Sequence, residues 1–402
     1  MTTDTQIAVI GGGAAGLVAA ISAAQQGCDV LIIEKGERLG KRILATGNGR
    51  CNLSNIALGA EVGLSAYNNP DFVSSILTQL DYPAIADFFS RLGLMISVDS
   101  EGRAYPRTNS ANSVLDVLYN SISSLSIRER TGFEVRQVVI EQPGIEPLFR
   151  LLTERGESLT AQAIILATGP DVMPLLDIDL DRVWREPVLG PLYTEVAPLK
   201  GLNGIRVRCA ASLLQGGKVV ATEKGELLFR DYGLSGIMMF DLSRFLLPEQ
   251  EISLDYFTDY SEIELLETMN QRMRQMAGQS ATRFFDGMLQ RRLAQAILRQ
   301  LGYSQSAPAE SMHVEKLVRM LKDHRFKIIS GPTQVQAQVM RGGLATRNFT
   351  PQTLECLRQP RLYAVGEALD IDGRSGGFNL HWAWASGIAA GKAAAAEMSA
   401  DR

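Results

Sequence analysis

Between Gly40 and Asn55 the chain reads GKRILATGNGRCNLSN. Lys41, Arg42, Arg50 and Asn52 are donors, Gly47 and Gly49 leave the backbone bare, and Cys51 is the one thiol among them. A glycine-flanked cationic loop suits an anion: phosphates, or the negative charge of a reduced ring. Cys51 lies between Arg50 and Asn52, and a neighbouring cation favours thiolate. Its functional reading, beside Arg50, is a proton donor or substrate contact near the flavin; the favoured reading is a small buried residue packing the loop. Upstream, Gly11, Gly13 and Gly16 form G-x-G-x-x-G. The first glycine of that motif makes a tight turn, the second admits a pyrophosphate to the backbone, and the third lets helix and strand pack closely. Ala14 and Ala15 lie between the second and third glycines, ahead of a helix whose N-terminal N–H groups face phosphate.

These residues need a strand, a helix and a second strand to hold them. QIAVI supplies the first strand, a small-residue helical pattern follows from Leu17 to Gln26, and CDVLIIEKG is the second strand. It ends at Glu34, placed for ribose hydroxyls, with Lys35 next to it. An acid there favours a free 2′-hydroxyl, so the site takes NAD or FAD rather than NADP. TGFEVRQVV at 131–139, which contains Val135, begins a strand-rich region. A buried strand from Ile164 leads into Ala167-Thr168-Gly169, and Leu362–Val365 leads into Gly366-Glu367. A small-residue helix then starts near Phe378-Asn379, just after Gly377. A flavin fold needs this late return to the sheet; a two-domain NAD dehydrogenase does not. The N-terminus of that helix would favour negative charge on the reduced ring. The expected cofactor contacts are therefore the fingerprint with Ala14 and Ala15, Glu34 and Lys35, the loop residues Lys41, Arg42, Gly49, Arg50, Cys51 and Asn52, Val135, and the segments 167–169, 366–367 and 377–379. No second G-x-G-x-x-G follows a strand, so NAD(P)H is expected to dock transiently at the flavin face, or electrons come from elsewhere.

The bulk composition narrows the alternatives. A chain of 402 residues holds two or three domains. Hydrophobic and charged contents of 46% and 21% are ordinary for a globular protein. A net charge of −4 makes the whole chain no bulk binder of polyanions. Cys28, Cys51, Cys209 and Cys356 are widely spaced with no CxxC, which argues against a zinc ribbon or a thioredoxin-type disulfide and for a reducing compartment. His313, His324 and His381 are scattered and no HExxH occurs, so no metal is expected. No G-x-S-x-G supports a serine hydrolase. Residues 7–24 are nearly uncharged, but MTTDTQ before them lacks Lys and Arg, so a signal peptide is not expected. With no other apolar stretch long enough to span a bilayer, the expected location is cytoplasmic.

The loop 40–55, GRAYPRTNSANSVLDVL, LATGP, GLSG at 233–236 and GEALDIDGRSGGFNLHWAWASG together resemble the BaiN/YhiN-type flavoproteins, the NAD(P)/FAD-dependent or aminoacetone-oxidase-like oxidoreductases. The resemblance spans both ends and the middle of the chain. It implies bound FAD and an α/β fold: a Rossmann-like FAD-binding domain carrying an inserted β-barrel-like subdomain and a helical subdomain. The expected boundaries are 1–189 with 348–402 for the FAD domain, 190–258 with 328–347 for the β-rich insert, and 259–327 for the helical part. Trp382 and Trp384 are expected to pack the final helix.

Residues 190–255 alternate β-like runs with Gly turns, 260 onward turns helical, and TQVQAQVMRGGLA returns as strands near 333–345. Residues 271–330 hold eleven Lys or Arg against four Asp or Glu, a net of +7. The bland reading is solvated helical faces. The sharper one is a phosphate-binding face of Arg291, Arg292, Arg319, Lys322, Arg325 and Lys327, extended by Arg341. Relatives within the resembling family are associated with reduction of uridine to dihydrouridine in large-subunit ribosomal RNA and of steroid-like enones. The leading expectation is thus hydride transfer from flavin N5 to an electron-poor C=C bond, with ribosomal RNA as the specific substrate. The alternatives are a small-molecule reductase or oxidase, acting on an enone or an amine, and a non-catalytic flavin-bound RNA factor.

Overall fold

The two strands flanking the fingerprint read as unbroken apolar runs, the pattern of parallel strands covered on both faces. In the computed structural model, which describes residues 3–58, 61–142, 147–170, 176 and 178–400, Ile7–Ile10 and Val30–Ile33 are buried throughout. They pair in parallel, Ile7 with Val30 through Ile10 with Ile33. They belong to a seven-stranded sheet ordered Arg128–Arg130, Val30–Ile33, Thr5–Ile10, Ser158–Leu166, Leu148–Thr153, Val135–Gln142, with Leu362–Ala364 also on Ser158–Leu166.

The strand Ser158–Leu166 changes neighbours along its length. One side pairs with Thr5–Ile10 in parallel. On the other, its start takes the antiparallel strand Leu148–Thr153 and its end the parallel strand Leu362–Ala364. Backbone bonds continue past the strand ends, Ala167 N–H to Ile10 O at 2.8 Å and Val365 N–H to Leu166 O at 3.0 Å. Three chain segments far apart in sequence therefore finish side by side at the carboxyl end of the sheet, where open α/β folds bind ligands. The helix Ala14–Ala24 is buried from Ala15 to Ala23 and packs on the C-terminal helix Phe378–Ala400. A Cβ on Gly387 or Gly391 would lie 2.4 Å from Ala15 O or 2.3 Å from Ala19 O. Hydrogen at these two positions lets the helix backbones touch.

Two compact units result, Met1–Glu186 with Val339–Arg402, and Pro187–Gln338. The second holds a closed barrel ordered Leu192–Thr194, Gly233–Ser235, Lys218–Arg230, Arg206–Gln215, Gln250–Asp255, His324–Ser330. Between its last two strands in sequence come the helices Glu262–Gln275, Ala281–Phe284, Arg291–Gln300 and Val314–Lys322. Ser261 and Glu264 form a reciprocal capping box that fixes the start of the first. Two expectations need correcting. The helical segment 259–327 is not a separate body, because Leu213, Phe229 and Phe326 of the barrel share one apolar core with Leu265, Phe284, Leu293 and Leu317 of the helices. The strand expected from 333 begins only at Val339, and it lies in the first unit. None of the four cysteines is in a disulfide. Among the described residues no helix is long and apolar enough to cross a membrane.

Candidate cofactor and active site

The fingerprint turn separates glycines that are packed from one that is open. A Cβ on Gly16 would lie 1.9 Å from Gly11 O, and one on Gly11 would lie 2.3 Å from Ala167 O, at a φ of +107°. Around Gly13, by contrast, no atom lies within 4 Å of a Cβ position. Gly13 also caps the helix with no side-chain bond to it, so the first-turn amides of Ala14, Ala15 and Gly16 keep their donors for a ligand. Glu34 is oriented by the backbone: Gly12 N–H donates to Oε2 at 2.9 Å and Gly36 N–H to Oε1 at 2.7 Å. Each carboxylate oxygen retains a lone pair for a ribose hydroxyl. Phe133 N–H donates to Glu34 O at 3.1 Å; Val135, two residues on, is buried, and Lys35 is exposed. An open cradle, an uncapped helix and an oriented acid together fit the pyrophosphate and ribose of FAD.

The cationic loop forms a second wall. Gly40 N–H donates to Gly12 O at 2.7 Å, so the loop leaves directly from the fingerprint. Turns from Ile43 to Gly49 follow, with left-handed φ at Gly47, Asn48 and Gly49, and again at Cys51. The Arg42 guanidinium comes 3.9 Å from the Glu367 carboxylate and 2.9 Å from where a Cβ on Gly169 would be. The loop, the Ala167-Thr168-Gly169 turn and Gly366-Glu367 thus meet. Gly366 is fixed there by its N–H to Ser386 Oγ at 3.0 Å and by Trp382 Nε1–H to its carbonyl at 3.2 Å. Lys41 is exposed. Arg50 places its guanidinium 4.8 Å above the Tyr105 ring.

Beyond Arg50 the loop turns inward, and the expectation of a thiolate fails. Cys51 is fully buried, and burial pushes its thiol up to about 12, against a smaller opposing effect of the Thr46 hydrogen bond. The Arg50 charge faces the Tyr105 ring. Asn52, its amide oriented by its partners, donates to Ser54 O at 3.0 Å and Ala104 O at 3.1 Å and accepts from Gly377 N–H at 3.1 Å. A Cβ on Gly377 would lie 2.3 Å from Ser54 O, which explains glycine at this left-handed position. The Asn379 side chain is committed to the loop before it, accepting from Gly373 N–H at 2.8 Å and donating to Gly373 O and Arg374 O. Phe378 packs edge-on against Tyr67. Asn52 and Asn379 therefore shape the pocket through backbone bonds.

Sequence reasoning missed Tyr105 and a buried pair, Ser54 and His381. Ser54 Oγ is 2.7 Å from His381 Nδ1, and His381 Nε2 is 2.8 Å from Leu80 O. A carbonyl only accepts, so Nε2 carries the proton and Ser54 donates to Nδ1. Burial pushes His381 down to about 4, so the ring is a neutral tie between the loop and the first turn of the last helix. The signal for Tyr105 was present in GRAYPR; partners more than three hundred residues apart gave none for the pair.

The expected phosphate-binding cations divide differently. Lys322 Nζ donates to Asp255 at 2.7 Å, Phe257 O at 2.9 Å and Tyr260 O at 2.6 Å. Arg292 donates to Gly201 O and Asn203 O. Arg325 pairs with Asp323 and Glu251, and Arg291 comes 3.8 Å from Asp286. Arg341 lies in the first unit and pairs with Asp372. Arg319 and Lys327 are exposed. Of these seven cations, Lys322 and Arg341 are held by partly or fully buried partners, whereas Arg291, Arg292 and Arg325 are exposed and make surface bonds only.

Comparison with known proteins agrees with this fold. The family described as HI0933-like protein Rossmann domain matches residues 5–393. A 3-dehydro-bile acid delta(4,6)-reductase of Clostridium scindens is 33% identical, over 97% of this chain and 99% of its own. A ribosomal RNA dihydrouridine synthase of Escherichia coli is 27% identical, over 94% and 95%. The crystal structure of a 3-ketosteroid delta1-dehydrogenase from Sterolibacterium denitrificans covers 98% of this chain and 100% of that one at a TM-score of 0.51 and 12% identity, a likeness of fold. The chain belongs to the HI0933-like Rossmann family, the flavoprotein family its motifs resemble, and is a FAD-dependent oxidoreductase.

Proposed function

We propose that this oxidoreductase reduces a C=C bond conjugated to a carbonyl group. The observation that carries the reading is the end-to-end match to a relative named as a delta(4,6)-reductase. FAD held here, once reduced by two electrons from NAD(P)H, would supply hydride chemistry at the carbon β to the carbonyl. Negative charge then gathers on the carbonyl oxygen, and a proton must reach the α carbon. The role of stabilising that oxygen is assigned to Arg50, whose guanidinium lies over Tyr105. Arg42, the amides of Ala14 to Gly16, and Glu34 hold the cofactor. The proton comes from a group other than Cys51, whose side chain is fully buried and offers no surface to a substrate.

A small conjugated enone is the favoured substrate, because the relative matched end to end at 33% identity is named as a bile acid reductase. Uridine in ribosomal RNA is the second reading. It presents the same carbonyl-conjugated C=C, two relatives are named as dihydrouridine synthases, and Arg319 and Lys327 remain exposed. The test is to incubate yellow holoprotein with NAD(P)H and either a 4-en-3-one steroid or unmodified ribosomal RNA, and to profile ribosomal nucleosides with and without the gene. Enone-dependent NAD(P)H oxidation with an unchanged nucleoside profile supports the first reading. Loss of dihydrouridine supports the second. Turnover of neither substrate sinks the proposed reaction.

A further inference from the structure

Asp372 is a carboxylate at 0% exposure, a placement that costs several kcal/mol unless a partner compensates it. Arg341 compensates it bidentately, Nε to Oδ1 at 2.8 Å and Nη2 to Oδ2 at 3.1 Å, the geometry that fixes direction as well as charge. The pair sits where the chain runs toward Gly377 and the start of the last helix. That run is gripped from two sides. On one side Asn68 N–H donates to Asp372 O at 3.0 Å, and Asp372 N–H donates to Asn68 Oδ1 at 3.0 Å. On the other, Gly342 N–H donates to Asp370 Oδ1 at 3.1 Å and Asp370 N–H to Leu344 O at 2.9 Å. The Arg341 side chain joins this second side to the centre of the run. Immediately downstream, Asn379 clamps Gly373 and Arg374, and Asn52 accepts from Gly377 N–H.

We propose that Arg341 and Asp372 are positioning residues for the FAD site: their buried bidentate pair sets the course of Asp370–Gly377 and hence where the last helix begins relative to the cationic loop. The inference rests on FAD binding at this site and adds residues that touch neither phosphate nor ribose contacts. An apolar pair of similar size would fill the space as well and often costs no stability. What it would not reproduce is the two-point angular constraint.

The test uses holoprotein of the parent, R341K, and the double variant R341M/D372L, which removes both charges together. Readouts are the FAD dissociation constant by fluorescence on dilution, the flavin absorbance bands and the flavin midpoint potential, with the melting temperature as a control on folding. The expected result is a double variant that melts near the parent but binds FAD about tenfold more weakly, with shifted bands and potential, and R341K in between. A folded double variant with parental affinity, spectrum and potential overturns the proposal. If the double variant does not fold, R341K decides: parental flavin values there overturn it equally. A colourless parent overturns the FAD reading instead, so the two failures are distinguishable.

Discussion

Two cation-rich stretches, Gly40–Asn55 in the first unit and residues 271–330 in the second, look alike in composition and differ in what their charges meet. In the second, guanidinium and ammonium groups end on backbone carbonyls. Arg272 reaches Phe284 O and Asp286 O, Arg299 reaches Lys200 O, and Lys322 reaches Phe257 O and Tyr260 O. These carbonyls lie at a helix end or in the turns between elements, where backbone acceptors lack a regular partner. In the first, Lys41 is exposed, Arg42 approaches Glu367 across Gly169, and Arg50 lies over an aromatic face with one bond, Nε to Gly47 O at 3.2 Å, inside its own loop. Charge density alone does not make an anion site; what matters is whether the fold supplies internal acceptors.

The sharpest way to break the comparison is to remove the fingerprint that the first stretch leans on. Gly16→Val has no room beside Gly11 O; we expect loss of the yellow colour and about 3 kcal/mol or more of stability, read by urea unfolding. Parental colour would mean the loop does not face a cofactor. Next in size is acid sensitivity, which touches both units. His324 and His381 are buried and pushed down to about 4 from 6.5. The unfolded chain takes up these protons between pH 6.5 and 4 and the native one does not, so stability falls as pH drops through that window. Above pH 7 these two groups contribute no pH dependence. Urea midpoints at pH 5 and 7 check this, and H381Q should flatten the slope. A midpoint that does not fall would refute neutral burial.

Lys322→Ala should lower stability by about 2 kcal/mol, since it leaves the Asp255 carboxylate and two carbonyls without their shared donor. A large loss of RNA affinity without a stability change would instead return this lysine to a binding face. Arg319→Glu with Lys327→Glu should change stability by less than about 0.5 kcal/mol; any fall in RNA binding, read by filter retention at low salt, would restore the second stretch as a contact surface. The smallest effect on turnover is expected at Cys51→Ala. The thiol is fully buried, so turnover should stay within about twofold, with a cavity cost near 1 kcal/mol. A hundredfold loss of kcat would revive Cys51 as a proton donor.

The residues themselves determined the strand, the fingerprint turn, the helix and Glu34, because that unit is contiguous and each position is fixed by local geometry. The late return near 362–379 was legible for a similar reason: a short apolar strand followed by Gly-rich turns and a small-residue helix has one place to go in a flavin fold. Only the tertiary structure decided which charges are available. Whether Cys51 ionises depends on the atoms that bury it. Whether Arg341 meets RNA or Asp372, and whether Lys322 meets solvent or Asp255, depends on partners 31 and 67 residues away. Desolvation and hydrogen-bond supply are properties of the packed neighbourhood, and no local run of sequence contains that neighbourhood.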